Sequence, residues 1–143
     1  YSVKGDTVLD PFLGTGTTTA AAIVSGRNSA GFESDPALGP LIRETVAASP
    51  GLSARVTAAR FDSHREFVES RLKKGKSIKH VNEIYGFPVV TRQEKLIRLN
   101  PVSQLVMDNF PNIEARYSDT LEPPVIEAAP EADGADPQMR LFK

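Results

Sequence analysis

A glycine-rich turn near the start of the chain, between a short apolar run and a helical segment, limits the possible folds more than any other part of the sequence. Residues 7–9 (TVL) end at Asp10 and have the length and the bounding residues of a buried strand. Residues 11–16 (PFLGTG) cannot continue that strand, because they combine a proline with two flexible glycines. The alanine-rich run from Thr18 to Val24 is typical of a helix that packs closely on a sheet. The sequence therefore predicts a strand, a glycine loop and a helix in direct succession.

A second strand is predicted after this helix. Gly26 can end the helix in a left-handed cap, and residues 28–32 then read as a strand with Glu33 at its tip. Two parallel strands joined by a helix form a βαβ unit with a right-handed crossover. The first 50 residues are therefore expected to form an α/β unit with an acid at the end of its second strand.

The glycine loop indicates a nucleotide-like ligand that lacks phosphate. A strand that ends in such a loop at a helix N-terminus brings the backbone and free N–H groups close to a ligand. A P-loop needs a lysine after its second glycine, and no lysine occurs between Lys4 and Lys73. A dinucleotide fingerprint needs a third glycine where Thr19 stands. A nucleoside remains, and Glu33, 17 residues beyond Gly16, is spaced to hold its ribose hydroxyls.

Two segments carry a resemblance to a known family. Residues 8–18 (VLDPFLGTGTT) resemble the cofactor motif of the N4-cytosine/N6-adenine site-specific DNA methyltransferases, and residues 31–35 (GFESD) resemble the next motif. The resemblance covers about residues 2–48. It implies S-adenosylmethionine as cofactor and a partial Rossmann-like methyltransferase fold, an α/β class with a βαβ core, a mainly helical C-terminal extension and a disordered tail.

The resemblance also implies roles for particular residues. Glu33 would take the ribose hydroxyls, and Asp35 would lie near the adenine. Phe12 has an alternative use in core packing. The residues that would line the methionine and adenosine pocket are Asp10, Phe12, Gly14, Thr15, Gly16 and Thr17.

The catalytic motif of such enzymes is missing from the sequence. The family uses an Asp/Ser/Asn-Pro-Pro-Tyr/Phe/Trp tetrapeptide to hold the target amino group and to stack on a flipped base. The one Pro-Pro pair, Pro123-Pro124, follows Glu122 and precedes Val125, so it does not match. In the permuted arrangement of the family the catalytic half precedes the cofactor motif, upstream of Tyr1. No catalytic residue is assigned, and we expect the chain to be the C-terminal portion of such an enzyme and to be inactive alone.

Other functions remain open at this stage. The chain could be a non-catalytic subunit that binds S-adenosylmethionine or DNA, or the remnant of a split methyltransferase. A methyltransferase that acts on RNA or on a small molecule is a further alternative. Because the catalytic tetrapeptide is absent, the sequence does not choose between adenine N6 and cytosine N4.

Residues 51–112 are expected to form a basic extension. A helical pattern runs from Leu52 to Lys74, with a break near residues 62–63, and Gly75 ends it. Residues 84–91 and 95–99 read as two strands, and residues 102–110 as a final helix. Residues 55–98 hold 11 basic and 5 acidic side chains, although the whole chain has a net charge of −1.

Positive charge in the extension predicts contacts with double-stranded DNA. Phosphate contacts of this kind would make the affinity dependent on salt. The alternative is a solvated helix end, because lysines near a helix C-terminus also suit the helix dipole. The candidate DNA-binding residues are Arg71, Lys73, Lys74, Lys76 and Lys79.

Residues 113–143 are rich in proline, alanine and acid, and predict a disordered acidic tail. The last six residues (QMRLFK) resemble the short peptide by which bacterial proteins dock on the DNA polymerase sliding clamp. In that interpretation Leu141 and Phe142 fill an apolar pocket and Gln138 makes a polar contact. The alternatives are a tail that folds back on the domain or a tail without a role.

Composition adds three expectations. The chain has no cysteine, which excludes disulfides and thiolate metal sites and fits a cytoplasmic location. Its two histidines show no spacing typical of a metal site, so no metal is expected. No apolar run has the length of a membrane span, so no membrane partner is expected.

Overall fold

The computed structural model describes residues 2–119. Helices and strands alternate in its first third, a long helix follows, and short strands complete the chain. Two 3₁₀ turns, Pro36–Leu38 and Arg92–Leu96, connect these elements. The elements are β1 (Thr7–Asp10), α1 (Thr17–Val24), β2 (Asn28–Gly31), α2 (Gly39–Ala47), α3 (Ser49–Lys73), β3 (His80–Val81), β4 (Pro88–Val89), β5 (Val102–Val106) and β6 (Glu114–Tyr117).

The first three elements form the βαβ unit that the sequence predicts. β1 and β2 pair in parallel, in a register that runs from Thr7 opposite Asn28 to Asp10 opposite Gly31. Helix α1 connects them and buries Ala20, Ala22 and Ile23. Within residues 2–119 the parallel sheet has these two strands, so the described part of the chain is a mixed helix and strand structure with small sheets.

The hydrophobic core lies between the helices and the antiparallel β5–β6 hairpin. Ile23 of α1, Ile42 and Val46 of α2, and Val102 of β5 form one buried cluster. The hydroxyl of Tyr117 donates a 2.8 Å hydrogen bond to the carbonyl of Ile23 and so ties the hairpin to α1. The βαβ unit therefore packs against residues from far along the chain.

Helix α3 is continuous over 25 residues, so the predicted break near residues 62–63 is wrong. Asp62 instead forms an ion pair with Arg65 one turn later, which supports the helix at this point. The first half of α3 buries Ser49, Ser53 and Thr57, whose small side chains allow close approach. The hydroxyl oxygen of Ser53 accepts a 2.9 Å hydrogen bond from the amide of Val102 in β5.

The second half of α3 packs on a small unit made of residues 80–99. The ring of Phe61 lies edge-on to Tyr85 and Phe87, at centroid distances of 5.5 and 5.1 Å. Beside these rings Asn82 is completely buried. Its side-chain amide donates to the carbonyls of Glu94 and Ile97, and its side-chain oxygen accepts from the amides of residues 84 and 85.

Three expectations for this half of the chain are wrong. Residues 84–99 contain the two-residue strand β4 and a 3₁₀ turn in place of two full strands, because the turn around Asn82 and the capping box of Thr91 and Glu94 take the backbone hydrogen bonds. Residues 102–110 start with strand β5 and not a helix, since Val102 reaches the core and pairs with β6. The extension is therefore helical only as far as Lys73.

The prediction of disorder from residue 113 onward is wrong for Glu114–Tyr117, which form strand β6. Residues 120–143, which include Gln138, Leu141 and Phe142, lie outside the described residues. No helix of residues 2–119 is both long and apolar enough to cross a membrane.

We expect Asn82→Ala to lower the free energy of unfolding by about 2–4 kcal/mol, because it leaves buried backbone carbonyls and amides without partners. Urea denaturation of the full chain measures this. Asn109→Ala is the matched control, since Asn109 is exposed and should change stability little. Equal effects of the two substitutions would contradict the role of Asn82.

Candidate cofactor-binding loop

The loop after β1 is fixed to the end of β2 by backbone hydrogen bonds. The amide of Phe32 donates to the carbonyl of Asp10 at 3.0 Å, and the amide of Leu13 donates to the carbonyl of Phe32 at 2.9 Å. The carboxylate of Asp10 accepts a 3.1 Å bond from the amide of Phe12 and so starts the turn. Because the strands are parallel, both of their carboxyl ends lie at this edge, where ligands bind in open α/β sheets.

Both glycines of the loop have a left-handed backbone. Gly14 has a φ of 55° and Gly16 a φ of 84°, a region that costs other residues free energy. Gly16 is also the N-cap of α1. A Cβ atom at Gly16 would lie 3.2 Å from Cγ2 of Ile42, whereas one at Gly14 would meet nothing closer than 4.0 Å. The second glycine is therefore needed for space as well as for backbone conformation.

Glu33 holds the loop from the tip of β2. Its Oε2 accepts a 2.8 Å hydrogen bond from the amide of Gly14, and its Oε1 accepts a 2.9 Å bond from the amide of Asp35. The Asp35 amide, first, and the Gly14 amide, second, lower the pKa of the Glu33 carboxyl below its usual value. The lowered pKa makes Glu33 an ionised hydrogen-bond acceptor at neutral pH.

The other predicted cofactor residues differ in their contacts and in their exposure. Asp35 caps the 3₁₀ turn, since its Oδ1 accepts a 2.9 Å bond from the amide of Ala37. The hydroxyls of Thr15 and Thr17 lie 3.4 Å apart at the start of α1. Phe12 is 88% exposed, so within the described chain it does not serve core packing. A second large side chain, Phe32, is 66% exposed next to Glu33.

Leu13 is a residue of the loop that sequence reasoning missed. Its side chain fills the space above Gly31, where a Cβ atom would lie 2.7 Å from Cδ1 of Leu13. The same residue joins the loop to β2 through its amide. The sequence shows an apolar residue between Phe12 and Gly14, but the direction of its side chain depends on the conformation of the turn.

A groove of about 740 Å³ runs from Glu33 along β2. Its other wall is the turn at residues 110–113, from the β5–β6 hairpin. Arg43 of α2 lies 5.6 Å from the centre of the Phe110 ring in that turn. Glu33 is the member of the predicted cofactor set that reaches this groove, which the sequence did not indicate.

The predicted DNA-binding residues lie apart from the loop, at the end of α3 and in the segment after it. Arg71 and Lys73 occupy the last turn of the helix. In the part of the chain that the structure describes, none of Arg71, Lys73, Lys74, Lys76 and Lys79 forms an ion pair. The four lysines are exposed and Arg71 is partly buried. They are available to an external anion.

Comparisons with known proteins agree with the resemblance seen in the motifs. Residues 1–44 match the model of a family described as DNA methylase. The chain is 48% identical over 99 residues to the type II methyltransferase M.MthZI of Methanothermobacter thermautotrophicus. These residues cover 69% of this chain and 26% of that protein. It is 61% identical over 46 residues to M.MjaI of Methanocaldococcus jannaschii, covering 32% of this chain and 15% of that protein.

The type II methyltransferase M.BglI of Bacillus subtilis is 58% identical over 33 residues, which cover 23% of this chain and 10% of that protein. The chain therefore spans about a quarter or less of the length of the curated relatives it matches. No solved structure matches it.

We expect Gly16→Ala to destabilise the chain more than Gly14→Ala. Both substitutions place a side chain at positive φ, at a cost of about 1–2 kcal/mol, and alanine at position 16 also crowds Ile42, which adds about 1–3 kcal/mol. Thermal and urea unfolding of the two variants provide the comparison. Equal losses of stability would show that the loop moves away from Ile42 without cost.

Proposed function

Because this chain carries the sequence of the DNA methylase family in residues 1–44, we propose that it supplies the S-adenosylmethionine-binding segment of an enzyme that methylates adenine N6 or cytosine N4 in DNA. The observation that carries the proposal is the Glu33 carboxylate, which is ionised and hydrogen-bonded to the glycine loop. When bound, the cofactor would supply the methyl group as an electrophile on its sulfonium.

The residues of the loop fit such a ligand. Glu33 supplies an ionised carboxylate, which suits the two adjacent hydroxyls of a ribose as hydrogen-bond donors. Gly14 and Gly16 let the backbone approach the ligand closely. Lysine and arginine are absent from residues 5–26, which suits a nucleoside better than a phosphate. Asp10, at the other end of the loop, would bind the ammonium group of the methionine portion.

Four further residues have proposed roles at the ends of the cofactor. Asp35, next to Glu33, would lie near the adenine. Phe12 is exposed beside the loop and could cover the bound ligand with its ring. Thr15 and Thr17 present hydroxyls at the N-terminus of α1, where an anion such as the methionine carboxylate is favoured.

The catalytic tetrapeptide must come from other residues than these 143. Two features support a catalytic half of the same enzyme as the partner. The chain spans 26% of its relative M.MthZI. On the sheet Leu9 is 63% exposed and Val3, just before β1, is 68% exposed, although central strands of such sheets are buried on both faces. The second candidate is a non-catalytic subunit that contributes the same cofactor contacts.

DNA is the proposed substrate, and the unpaired cations from Arg71 to Lys79 are its proposed phosphate contacts. Arg71 and Lys73 lie in the last turn of α3, where they suit the helix dipole, whereas Lys76 and Lys79 lie beyond the reach of that dipole. The proposed sliding-clamp contact of Gln138, Leu141 and Phe142 rests on the sequence alone.

Cofactor binding can be tested by calorimetric titration with S-adenosylhomocysteine. We expect Glu33→Ala to weaken binding about tenfold or more, because it removes a charged acceptor of two hydrogen bonds. Glu69→Ala is the matched control, since Glu69 is exposed on α3. If the wild-type chain does not bind even together with the catalytic half, the proposal is wrong.

The isolated chain is expected not to transfer methyl groups to DNA. A radiolabelled methyl-transfer assay on duplex DNA should show no turnover above background, and adding the catalytic half should restore it. Turnover by the chain alone would contradict the proposed division of the enzyme.

Replacing Lys73, Lys74, Lys76 and Lys79 by glutamine is expected to weaken duplex DNA binding. The slope of log Kd against log salt should also fall by about one for each phosphate that the variant no longer neutralises. Fluorescence anisotropy at several salt concentrations measures both the affinity and the slope. Binding by the wild type that does not weaken with salt would remove DNA phosphates as the ligand of this segment.

A further inference from the structure

A second cavity lies in the extension, far along the chain from the cofactor loop. It has a volume of about 160 Å³, and its walls are Phe61 and His64 of α3, Phe87 and Val89 at β4, and Ile97 and Leu99 beyond the 3₁₀ turn. Sites for whole small molecules have volumes of about 300–1,000 Å³. This cavity is therefore sized for a single ring system or a single side chain.

The walls of the cavity are held in place before any ligand binds. The Phe87 ring lies edge-on to Phe61 at 5.1 Å and parallel to Tyr85 at 5.9 Å. Nε2 of His64 lies 2.7 Å from the carbonyl oxygen of Pro88, which fixes the imidazole 4.8 Å from the Phe87 ring. Val89 below them is 1% exposed. A flat ring that enters the cavity meets aromatic surfaces with little ordering cost.

Positive charge lies along the helix that forms one wall. Arg60, His64, Phe67 and Arg71 follow one another at spacings of three and four residues, which places them on one face of α3, and Lys74 follows at the C-cap. We call these five residues the basic-aromatic stripe. Arg60 lines the cavity, and Arg71 lies about 16 Å farther along the helix axis. Within residues 2–119 neither arginine forms an ion pair.

Two further charged residues, Lys4 and Glu94, lie at or near the cavity wall. Nζ of Lys4 donates hydrogen bonds to the carbonyl of Arg98 at 3.1 Å and to Oδ1 of Asn100 at 2.9 Å, on either side of Leu99 in the sequence. Glu94 also lines the cavity. Its Oε2 accepts from the amides of Val90 and Thr91 and from the Thr91 hydroxyl, so it caps the 3₁₀ turn. Its Oε1 remains an acceptor for an amino group, while the carboxylate repels phosphate from the cavity itself.

We propose that this cavity receives one unstacked base of a DNA strand, with a phosphate beside that base contacting Arg60 and a phosphate farther along the strand contacting Arg71 of the basic-aromatic stripe. The inference rests on the proposed function, because it takes DNA as the substrate. Aromatic walls suit the flat face of any base. A protein side chain would fill the same volume, but it gives no reason for Arg60 in the cavity wall and Arg71 farther along the same helix to lack ion pairs within residues 2–119. The cavity is separate from the loop that would hold the cofactor.

The test uses the full chain and a DNA duplex that contains one unpaired 5-iodouracil. Irradiation followed by mass spectrometry of the peptides identifies the crosslinked residue. We expect crosslinks at Phe61, His64 or Phe87 with the unpaired base and few crosslinks when the same base is paired. Crosslinks that are equal for both duplexes, or that map only to residues 73–79, would overturn the proposal.

Two variants make the test quantitative. Phe87→Leu and Arg60→Gln should each weaken binding of the bulged duplex by about fivefold or more, because the first removes a stacking surface and the second a cation beside a phosphate. Arg55→Gln is the matched control, since Arg55 lies on another face of α3. Arg60 is exposed, so its replacement tests the proposal even if Phe87→Leu unfolds the unit. Wild-type affinity in Arg60→Gln would contradict it.

The failure of this proposal can be separated from the failure of the proposed function. Salt-dependent binding of fully paired DNA and binding of S-adenosylhomocysteine do not require the cavity. If both are found while crosslinks map elsewhere, the base pocket is wrong and the methyltransferase proposal stands. If neither is found, the proposed function fails first.

Discussion

The hydrogen bond between the Glu33 carboxylate and the Gly14 amide is the interaction on which the candidate site depends. It joins the tip of the second strand to the loop after the first, and so fixes the loop at the edge where the two parallel strands end. The loop in turn sets the start of α1, because Gly16 is its N-cap and lies against Ile42 of the core. The acid is therefore a structural part of the loop as well as a candidate ligand group.

The sequence was sufficient for the βαβ unit because local signals there agree with one another. A short apolar run, two glycines and an alanine-rich helix in succession all predict a strand, a loop and a helix. The family motifs lie on the same residues. The bond between Glu33 and Gly14 was not foreseen, although both residues were singled out. Its existence follows from the parallel register, which brings positions 19 residues apart into contact.

Sequence patterns failed where long-range contacts decide the structure. Residues 102–106 form a strand because Val102 meets the core and pairs with Tyr117, 15 positions later. Residues 80–99 form short strands and turns because the buried side chain of Asn82 hydrogen-bonds to four backbone groups. These groups are the amides of residues 84 and 85 and the carbonyls of residues 94 and 97. The aromatic cavity depends on the same arrangement, and no local period in the sequence could have revealed it.

The two halves of helix α3 pack on different parts of the chain, and the length of the helix sets how far apart these parts lie. Its first half packs on α1 and β5 with serine and threonine, and its second half forms one wall of the aromatic cavity. An α-helix advances about 1.5 Å and turns about 100° for each residue. One residue inserted in the middle of the helix would therefore rotate the cavity by more than a quarter of a circle relative to the candidate cofactor loop. An insertion or deletion in α3 therefore changes the relative orientation of the two regions, whereas a substitution on the exposed face of the helix does not.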